Sequence, residues 1–314
     1  MRRALQLACN GEGRVSPNPM VGAVITHGDR IIGEGFHAFY GGPHAEVNAI
    51  HSVRPEDKAL LKNSTIYVTL EPCAHHGKTP PCANLIVNTG IPRVVIGSSD
   101  PNPLVAGKGV KILQDAGIQV RQGVLEKECN EINKRFFKAH TSPLPWILLK
   151  WAQSADGFMA AFDKDGYPKG VKFSDSLSSV WMHRERASVD AIMVGANTER
   201  IDNPSLTTRF WGGNSAKKFV AKGQLNLQEF LRNIRRDGIT SLMVEGGPAL
   251  LNSFIQDGFF DEIRIETAPI ILGEGLKAPK LPDNIRLIES RICRKNIIQI
   301  FQKINPDNKE VKKA

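Results

Sequence analysis

Gly42-Pro43-His44-Ala45-Glu46-Val47 and, further on, Thr69-Leu70-Glu71-Pro72-Cys73-Ala74-His75-His76-Gly77-Lys78-Thr79-Pro80-Pro81-Cys82 decide how the first half of this 314-residue chain is read. One imidazole and two thiols are donors that suit Zn2+, and three protein ligands leave a fourth coordination position for water. An open position implies catalysis. Glu46, two residues beyond His44, is a carboxylate placed to carry a proton between an attacking water and a leaving group. Two other readings stand beside this one: a structural zinc site closed by His75 or His76, and a pair of buried cysteines with no metal. The first is disfavoured because structural sites usually show four ligands at short spacings. The second is disfavoured because Cys73 sits next to Pro72 and near polar turns.

Outward from these residues, the chain alternates strand-like and helix-like segments. Met20–Thr26 and Arg30–Gly33 read as a hairpin around His27-Gly28-Asp29, Thr65–Leu70 and Arg93–Gly97 as strands, and Pro81–Asn88 and Val110–Gln114 as helices. A helix begins near His44, and Ile118–Arg121 is a further strand. This is the pattern of an α/β layered domain. Ala139-His140-Thr141-Ser142-Pro143-Leu144-Pro145 breaks it with polar, proline-bearing sequence, which places a domain boundary there and predicts domains over 1–140 and 146–314. The second half opens with the strand-like Trp146–Trp151. Later, Ala191–Gly195 and Ser241–Gly247 each end in glycine, and the latter runs into an apolar helix, Pro248–Ile255. Glycine between a strand and a helix lets backbone approach a phosphate, but no G-x-G-x-x-G follows a strand.

Composition narrows the class. With 41% hydrophobic and 23% charged residues and no apolar run long enough for a membrane span, the chain reads as a soluble, cytoplasmic protein. The net charge of +9 divides as +4 before Pro145 and +5 after it, so no basic tail or patch argues for nucleic acid. Five cysteines, at 9, 73, 82, 129 and 293, favour metal binding or burial over a disulfide framework. A homo-oligomeric state is left open.

The general pattern of zinc deaminases is His-x-Glu followed by Pro-Cys-x-x-Cys, whereas here eight residues separate Cys73 from Cys82. Together with Ser16-Pro17-Asn18-Pro19-Met20-Val21-Gly22-Ala23-Val24 and Asp100-Pro101-Asn102-Pro103-Leu104-Val105-Ala106-Gly107, however, the segments quoted first resemble the bifunctional deaminase/reductases of riboflavin biosynthesis, in which the eight-residue spacer is normal. The resemblance covers nearly all of residues 1–125. It implies a cytidine-deaminase-like three-layer domain that hydrolyses the 2-amino group of a diaminopyrimidinone carrying a ribosyl 5′-phosphate. It further implies His44, Cys73 and Cys82 as zinc ligands and Glu46 as the proton carrier. Asn18, His37, His75 and Lys78 would hold the pyrimidine and the phosphate.

In the second half, Leu149-Lys150-Trp151-Ala152-Gln153-Ser154-Ala155-Asp156-Gly157, Asp190–Gly195, Asp202–Arg209 and Glu245-Gly246-Gly247 are similar to the same family's reductase domain. The resemblance implies a dihydrofolate-reductase-like fold that uses NADPH to reduce the ribosyl group to a ribityl chain. Ala152, Thr198, Asp202 and Gly247 would lie at the cofactor. Lys150, Arg186, Leu206, Arg209 and Glu245 would lie at the substrate, with both arginines at its phosphate. Gly170-Val171-Lys172 departs from the family's Ser-x-Trp run at a position that meets substrate and cofactor. Only Phe210 to about Leu225 separate Arg209 from the next helix, where the family has several tens of residues including a strand of the cofactor-binding sheet. The expectation is therefore a shortened domain that has lost that strand and binds NADPH weakly. The competing readings are a deaminase with an inactive reductase domain and a nucleic-acid-editing deaminase.

Overall fold

The computed structural model describes residues 1–74, 81–103, 105–213, 215–223 and 225–304. The chain divides into two compact units, Met1–Pro143 and Leu144–Ala314. In the first unit the elements are α1 (Arg2–Ala8), β1 (Gly22–His27), β2 (Arg30–Phe36), α2 (Ala45–His51), β3 (Thr65–Leu70), α3 (Cys82–Thr89), β4 (Arg93–Ser98), α4 (Lys108–Asp115), β5 (Gln119–Arg121), α5 (Glu126–Ile132) and α6 (Lys134–Thr141). The sheet order is β2-β1-β3-β4-β5, with β1 antiparallel to both neighbours and β3, β4 and β5 parallel.

Side-chain alternation along these strands builds the layers. Ala23 and Ile25 of β1, Ile66 and Val68 of β3, and Val94 and Ile96 of β4 enter one core with Ala45, Ala49, Ala83, Ile86, Val110 and Leu113 from α2, α3 and α4. Val24 points the other way, onto Ala4 and Leu7 of α1. Gly97 lies against Cys129 of α5, where a Cβ would collide with the sulfur. Helices therefore cover both faces of the sheet. α6 continues to Thr141, through the stretch whose composition reads as linker, because Thr141 Oγ1 and His140 Nδ1 bond back to the carbonyls of Phe137 and Phe136.

The second unit contains β6 (Trp146–Gln153), β7 (Phe158–Phe162), β8 (Pro168–Gly170), α7 (Ser176–Ala187), β9 (Ala191–Gly195), α8 (Ala196–Asp202), β10 (Lys217–Ala221), α9 (Leu227–Arg236), β11 (Ser241–Val244), α10 (Pro248–Gln256), β12 (Glu262–Thr267), β13 (Leu276–Lys277), β14 (Ile285–Cys293) and β15 (Asn296–Lys303). The main sheet runs β10-β9-β11-β6-β12-β15-β14, and β13-β7-β8 form a small second one. β10 to β12 are mutually parallel; β15 and β14 continue antiparallel.

β6 shows how the sequence divides the labour. Ile147, Leu149 and Trp151 join the core formed with Leu231 and Ile234 of α9 and Leu251 and Phe254 of α10. Leu148 and Lys150 face the opposite side, where Leu148 packs with Ile192, Val194, Leu206 and Met243. Lys150 is thus a buried cation in the otherwise apolar run Trp146–Ala152. The expectation that residues 210–225 leave no room for a strand is not met. β10 forms within them and pairs along its whole length with β9, because Phe219 and Ala221 reach the core on one side and Val220 on the other.

Candidate functional site

Three local features converge in the first unit. His44 is the extended residue that caps α2, Cys73 lies just beyond the end of β3, and Cys82 opens α3. The ligand atoms of the three lie within 4.8 Å of one another. His44 Nδ1 is 3.6 Å from Cys73 Sγ and 3.3 Å from Cys82 Sγ. Tetrahedral zinc with ordinary bond lengths separates such donors by about 3.6 Å, so these residues fit the ion. The backbone N–H of Cys82, at a helix start, donates to Cys73 Sγ at 3.3 Å, a geometry that favours thiolate. The hydrogen bond between the two sulfurs pulls the Cys73 thiol down and pushes the Cys82 thiol up, and the bond to Cys73 raises His44. A divalent cation is what such a donor set would exchange for its protons.

Glu46 is 3% exposed in the first turn of α2. Burial, reinforced by the negative charge of Cys73, pushes its carboxyl up to about 7. Asn18 and His37, 26 and 7 residues before His44, are brought to the same place. His37 Nδ1 bonds the Pro43 carbonyl at 3.0 Å, which fixes its proton there and leaves Nε2 to accept from Asn18 Nδ2 at 3.1 Å. The His37 ring stands edge-on to His44 with centroids 5.6 Å apart, and burial pushes its pKa down. His75 and Lys78 lie outside the described residues.

Glu71, which the sequence reading did not single out, secures the ground beneath these groups. Its buried carboxylate accepts from four backbone N–H groups: Gly107 and Gly109 at 3.0 Å, and Asp100 and Val110 at 3.3 Å. Gly109 has no room for a side chain, since a Cβ would run into the Pro72 carbonyl. Asp100, Gly107 and the start of α4 are thereby pinned to the segment that carries Cys73. The signal in the sequence was slight, an acid at the end of an apolar strand and directly before Pro72-Cys73.

In the second unit the expected reductase residues gather at the carboxyl ends of parallel strands. Glu245 follows β11 next to Lys150 of β6, and α7 lays Arg186 across both. Arg186 Nε and Nη2 donate to the two Glu245 oxygens at 2.7 and 2.9 Å. Lys150 Nζ is 3.4 Å from Glu245 Oε2 and 3.1 Å from Met182 Sδ. Burial alone would raise the Glu245 carboxyl, but Lys150 and Arg186 overcome it and hold the group at about 2. Arg186 is therefore committed to a buried carboxylate instead of facing a phosphate. Arg209 is exposed, held by Ser205 Oγ at 2.9 Å and Thr207 Oγ1 at 3.3 Å. Leu206, buried and in the left-handed region at φ +47°, shapes the turn between them.

The same face carries a second ion pair that was not legible in sequence. Arg264, opposite Lys150 in the β12–β6 register and 1% exposed, meets Glu185 of α7 at 2.7 Å and Glu266 at 3.7 Å. Glu266 is further bonded by Ser174 and Asn296. Lys150, Arg186 and Arg264 thus balance Glu185, Glu245 and Glu266 in one largely buried layer. For NADPH the fit is through backbone. α8 and α10 begin at Gly195 and Gly247 on neighbouring strands, and neither start is capped by a side chain. A Cβ built on Gly247 would stand 3.8 Å from Thr198 Oγ1, so these two expected residues border one open cradle. Ala152 is half-buried near the end of β6. Asp202 closes α8, and its side chain lies outside what the structure describes.

Comparison with known proteins agrees with both halves. Residues 1–98 match the cytidine and deoxycytidylate deaminase zinc-binding region, and residues 145–226 and 215–300 match the RibD C-terminal domain. The chain is 39% identical to the riboflavin biosynthesis protein RibD of Aquifex aeolicus, over 93% of this chain and 92% of that protein. This chain belongs to the RibD family. The RibD of Escherichia coli K12 is 33% identical over 87% of this chain and 88% of its own length. A crystal structure of the diaminohydroxyphosphoribosylaminopyrimidine deaminase/5-amino-6-(5-phosphoribosylamino)uracil reductase of Thermotoga maritima superposes with a TM-score of 0.87 at 34% identity, over 96% of this chain and 97% of that one. RibD membership thus accounts for an α/β protein with a cytidine-deaminase-like first unit and a dihydrofolate-reductase-like second one. No helix among the described residues is long and apolar enough to cross a membrane.

Proposed function

We propose that this chain catalyses two successive steps of riboflavin biosynthesis, with residues 1–140 as the deaminase and residues 146–314 as the reductase. The first step is zinc-dependent hydrolytic deamination of 2,5-diamino-6-(5-phosphoribosylamino)pyrimidin-4-one. The second is NADPH-dependent reduction of the ribosyl group to a ribityl chain. The observation that carries the reading is the convergence of His44, Cys73 and Cys82 on one point with Glu46 buried beside it. The net charge of +9 is shared between the two halves of the chain as +4 and +5, which speaks against a nucleic-acid substrate, and five cysteines with no disulfide among them accord with a cytoplasmic setting.

Zinc held by His44, Cys73 and Cys82 supplies a Lewis acid that makes water a nucleophile near neutral pH. Glu46 takes the proton of the attacking water and delivers it to the departing amine, so that water enters and ammonia leaves with no net change at the carboxyl. Asn18 reads the amide edge of the pyrimidine, and its partner His37 holds it in place through the Pro43 carbonyl. His75 and Lys78 complete the substrate contacts in this reading.

In the second domain NADPH supplies a hydride to the sugar carbon. Ala152, Thr198, Asp202 and Gly247 bind the cofactor in this reading, and Leu206 lines the substrate site. Lys150, held by the ionised Glu245, would supply the proton to the heteroatom on the carbon that takes the hydride, Arg186 fixes the Glu245 carboxylate in one orientation, and exposed Arg209 takes the 5′-phosphate. The test is Glu46→Gln, assayed for bound zinc and for ammonia release. Zinc should stay near one per chain while ammonia release falls roughly 100- to 10,000-fold. Wild-type deamination by that variant would remove Glu46 from the mechanism.

A further inference from the structure

Asn18 reaches the deaminase site from the segment Ser16–Val21, which carries two prolines and enters no sheet. Pro17 and Pro19 have no N–H to give to a neighbour. The Asn18 N–H turns back on the Val15 carbonyl at 2.8 Å. Beyond Met20, the Val21 carbonyl takes the His37 N–H at 2.9 Å and the Gly22 N–H meets Thr69 Oγ1 at 3.1 Å. Met20 itself gives both of its backbone groups to one side chain. Its N–H donates to Asn133 Oδ1 at 2.7 Å, and Asn133 Nδ2 donates to its carbonyl at 2.9 Å, so the amide pairs with Met20 as a residue of a neighbouring strand would.

Asn133 is 3% exposed and lies 113 residues further along the chain, at the junction of α5 and α6. Its N–H rests on the Asn130 carbonyl at 3.1 Å, and its carbonyl takes the Phe137 N–H at 2.9 Å. α5 is in turn seated on the sheet. Ser98 Oγ, at the end of β4, donates to Asn130 Oδ1, and Cys129 lies against Gly97. The Ser98 carbonyl takes the Glu71 N–H at 2.9 Å, directly before Pro72-Cys73. The amide that grips Met20 is thus referred to the same frame as a zinc ligand. The grip needs one donor and one acceptor side by side, which asparagine has. A carboxylate would set an acceptor against the Met20 carbonyl, and an apolar side chain would match neither group.

We infer that Asn133 is a positioning residue of the deaminase: by clamping Met20 it sets the preceding residues so that Asn18 meets both His37 and the amide edge of the pyrimidine. The inference rests on the reading of Asn18 as the pyrimidine contact. His44, Cys73, Cys82 and Glu46 stand on other elements, so the defect it predicts is in substrate binding, with turnover and zinc preserved.

The experiment uses the full-length, zinc-loaded chain, with ammonia release from the diaminopyrimidinone nucleotide giving KM and kcat, and amide exchange at Met20 reporting the clamp. Asn133→Ala removes both bonds. Exchange at Met20 should quicken roughly tenfold while Ile66 and Val68 of β3 hold. KM should rise roughly five- to tenfold with kcat within about threefold, and zinc should stay near one per chain. Asn133→Asp keeps the acceptor for the Met20 N–H and the shape of the side chain. It should raise the same KM about threefold or more, and it carries the test where Asn133→Ala does not fold. Asn18→Ala should raise KM at least as far as Asn133→Ala does, and the double variant should lose nothing further, because one residue acts through the other. Unchanged exchange at Met20 overturns the inference, as does full additivity with Asn18→Ala. A fall in zinc and kcat at unchanged KM overturns it too, since that is the mark of a merely structural residue. An unchanged KM in the Asn133 variant that carries the test, beside a raised one in Asn18→Ala, overturns the inference alone. An unchanged KM in Asn18→Ala overturns the reading of Asn18 itself.

Discussion

Replacing Glu71 by Gln changes one oxygen to an amide nitrogen and should cost the deaminase domain far more than an isosteric exchange suggests. The carboxylate accepts from the N–H groups of Asp100, Gly107, Gly109 and Val110, two on each oxygen. The glutamine oxygen can keep one pair, each bond weakened by about 1 kcal/mol through loss of the charge. Its NH2 group faces the other pair as donor against donor, and each buried N–H left without a partner costs about 1–3 kcal/mol. With some relief from water entering at the loop, the net loss is about 3–5 kcal/mol, a large part of the stability of an ordinary domain. Urea unfolding followed in parallel with zinc content measures it. The midpoint should fall, and Gly109 and Val110 should lose amide protection before the sheet does. A loss below about 1 kcal/mol, with protection at those amides intact, would show that the four bonds do not hold the loop as argued.

Cys82→Ser should release zinc and lower the melting temperature, since ligation is coupled to folding; a variant that still holds one zinc by non-denaturing mass spectrometry would contradict the ligand assignment. Glu245, held at about 2 against an ordinary 4.5, contributes stability fully present above about 4.5 and lost as the pH falls from there towards 2, on the order of 3 kcal/mol. Acid unfolding of the second domain should therefore be shallower in Glu245→Gln across that window, and an unchanged slope would mean that Lys150 and Arg186 do not hold the group down. Gly247→Ala has space in the protein without cofactor, so stability should stay within about 0.5 kcal/mol while NADPH binding, followed by nucleotide fluorescence, weakens about tenfold. Unchanged affinity would move the phosphate cradle elsewhere.

What could be read in the sequence was chemistry packed into short range. His44 and Glu46 are two residues apart on one helix start, so their partnership is written locally. Cys73 and Cys82 are tied by proline-flanked turns whose spacing identifies them. Asn18 and His37 came from resemblance alone, because their hydrogen bond joins segments that only the sheet brings together. Glu185, Arg264 and Glu266 could not be read at all. A charged residue in an alternating strand looks like the solvated face, and only the docking of α7 on that face turns it into an interior. The missing strand was expected from length, and length misled: five residues, Lys217–Ala221, are enough for an edge strand once β9 offers a partner.

The layer of three cations and three anions over β6 and β12 also limits how this domain can drift. Deleting one member strands a charge where solvent has little access, at a cost of about 3–5 kcal/mol, whereas exchanging a cation and an anion together for well-packed apolar residues is often neutral. Arg264 answers to Glu185 and Glu266 together, so that group changes as a set, while Lys150 and Glu245 are constrained by their neighbours and, in the function proposed above, by the reaction as well. Lineages that have altered the layer should differ at both members of a couple at once. A single-site mutational scan will therefore score as forbidden several positions that a paired library would find open.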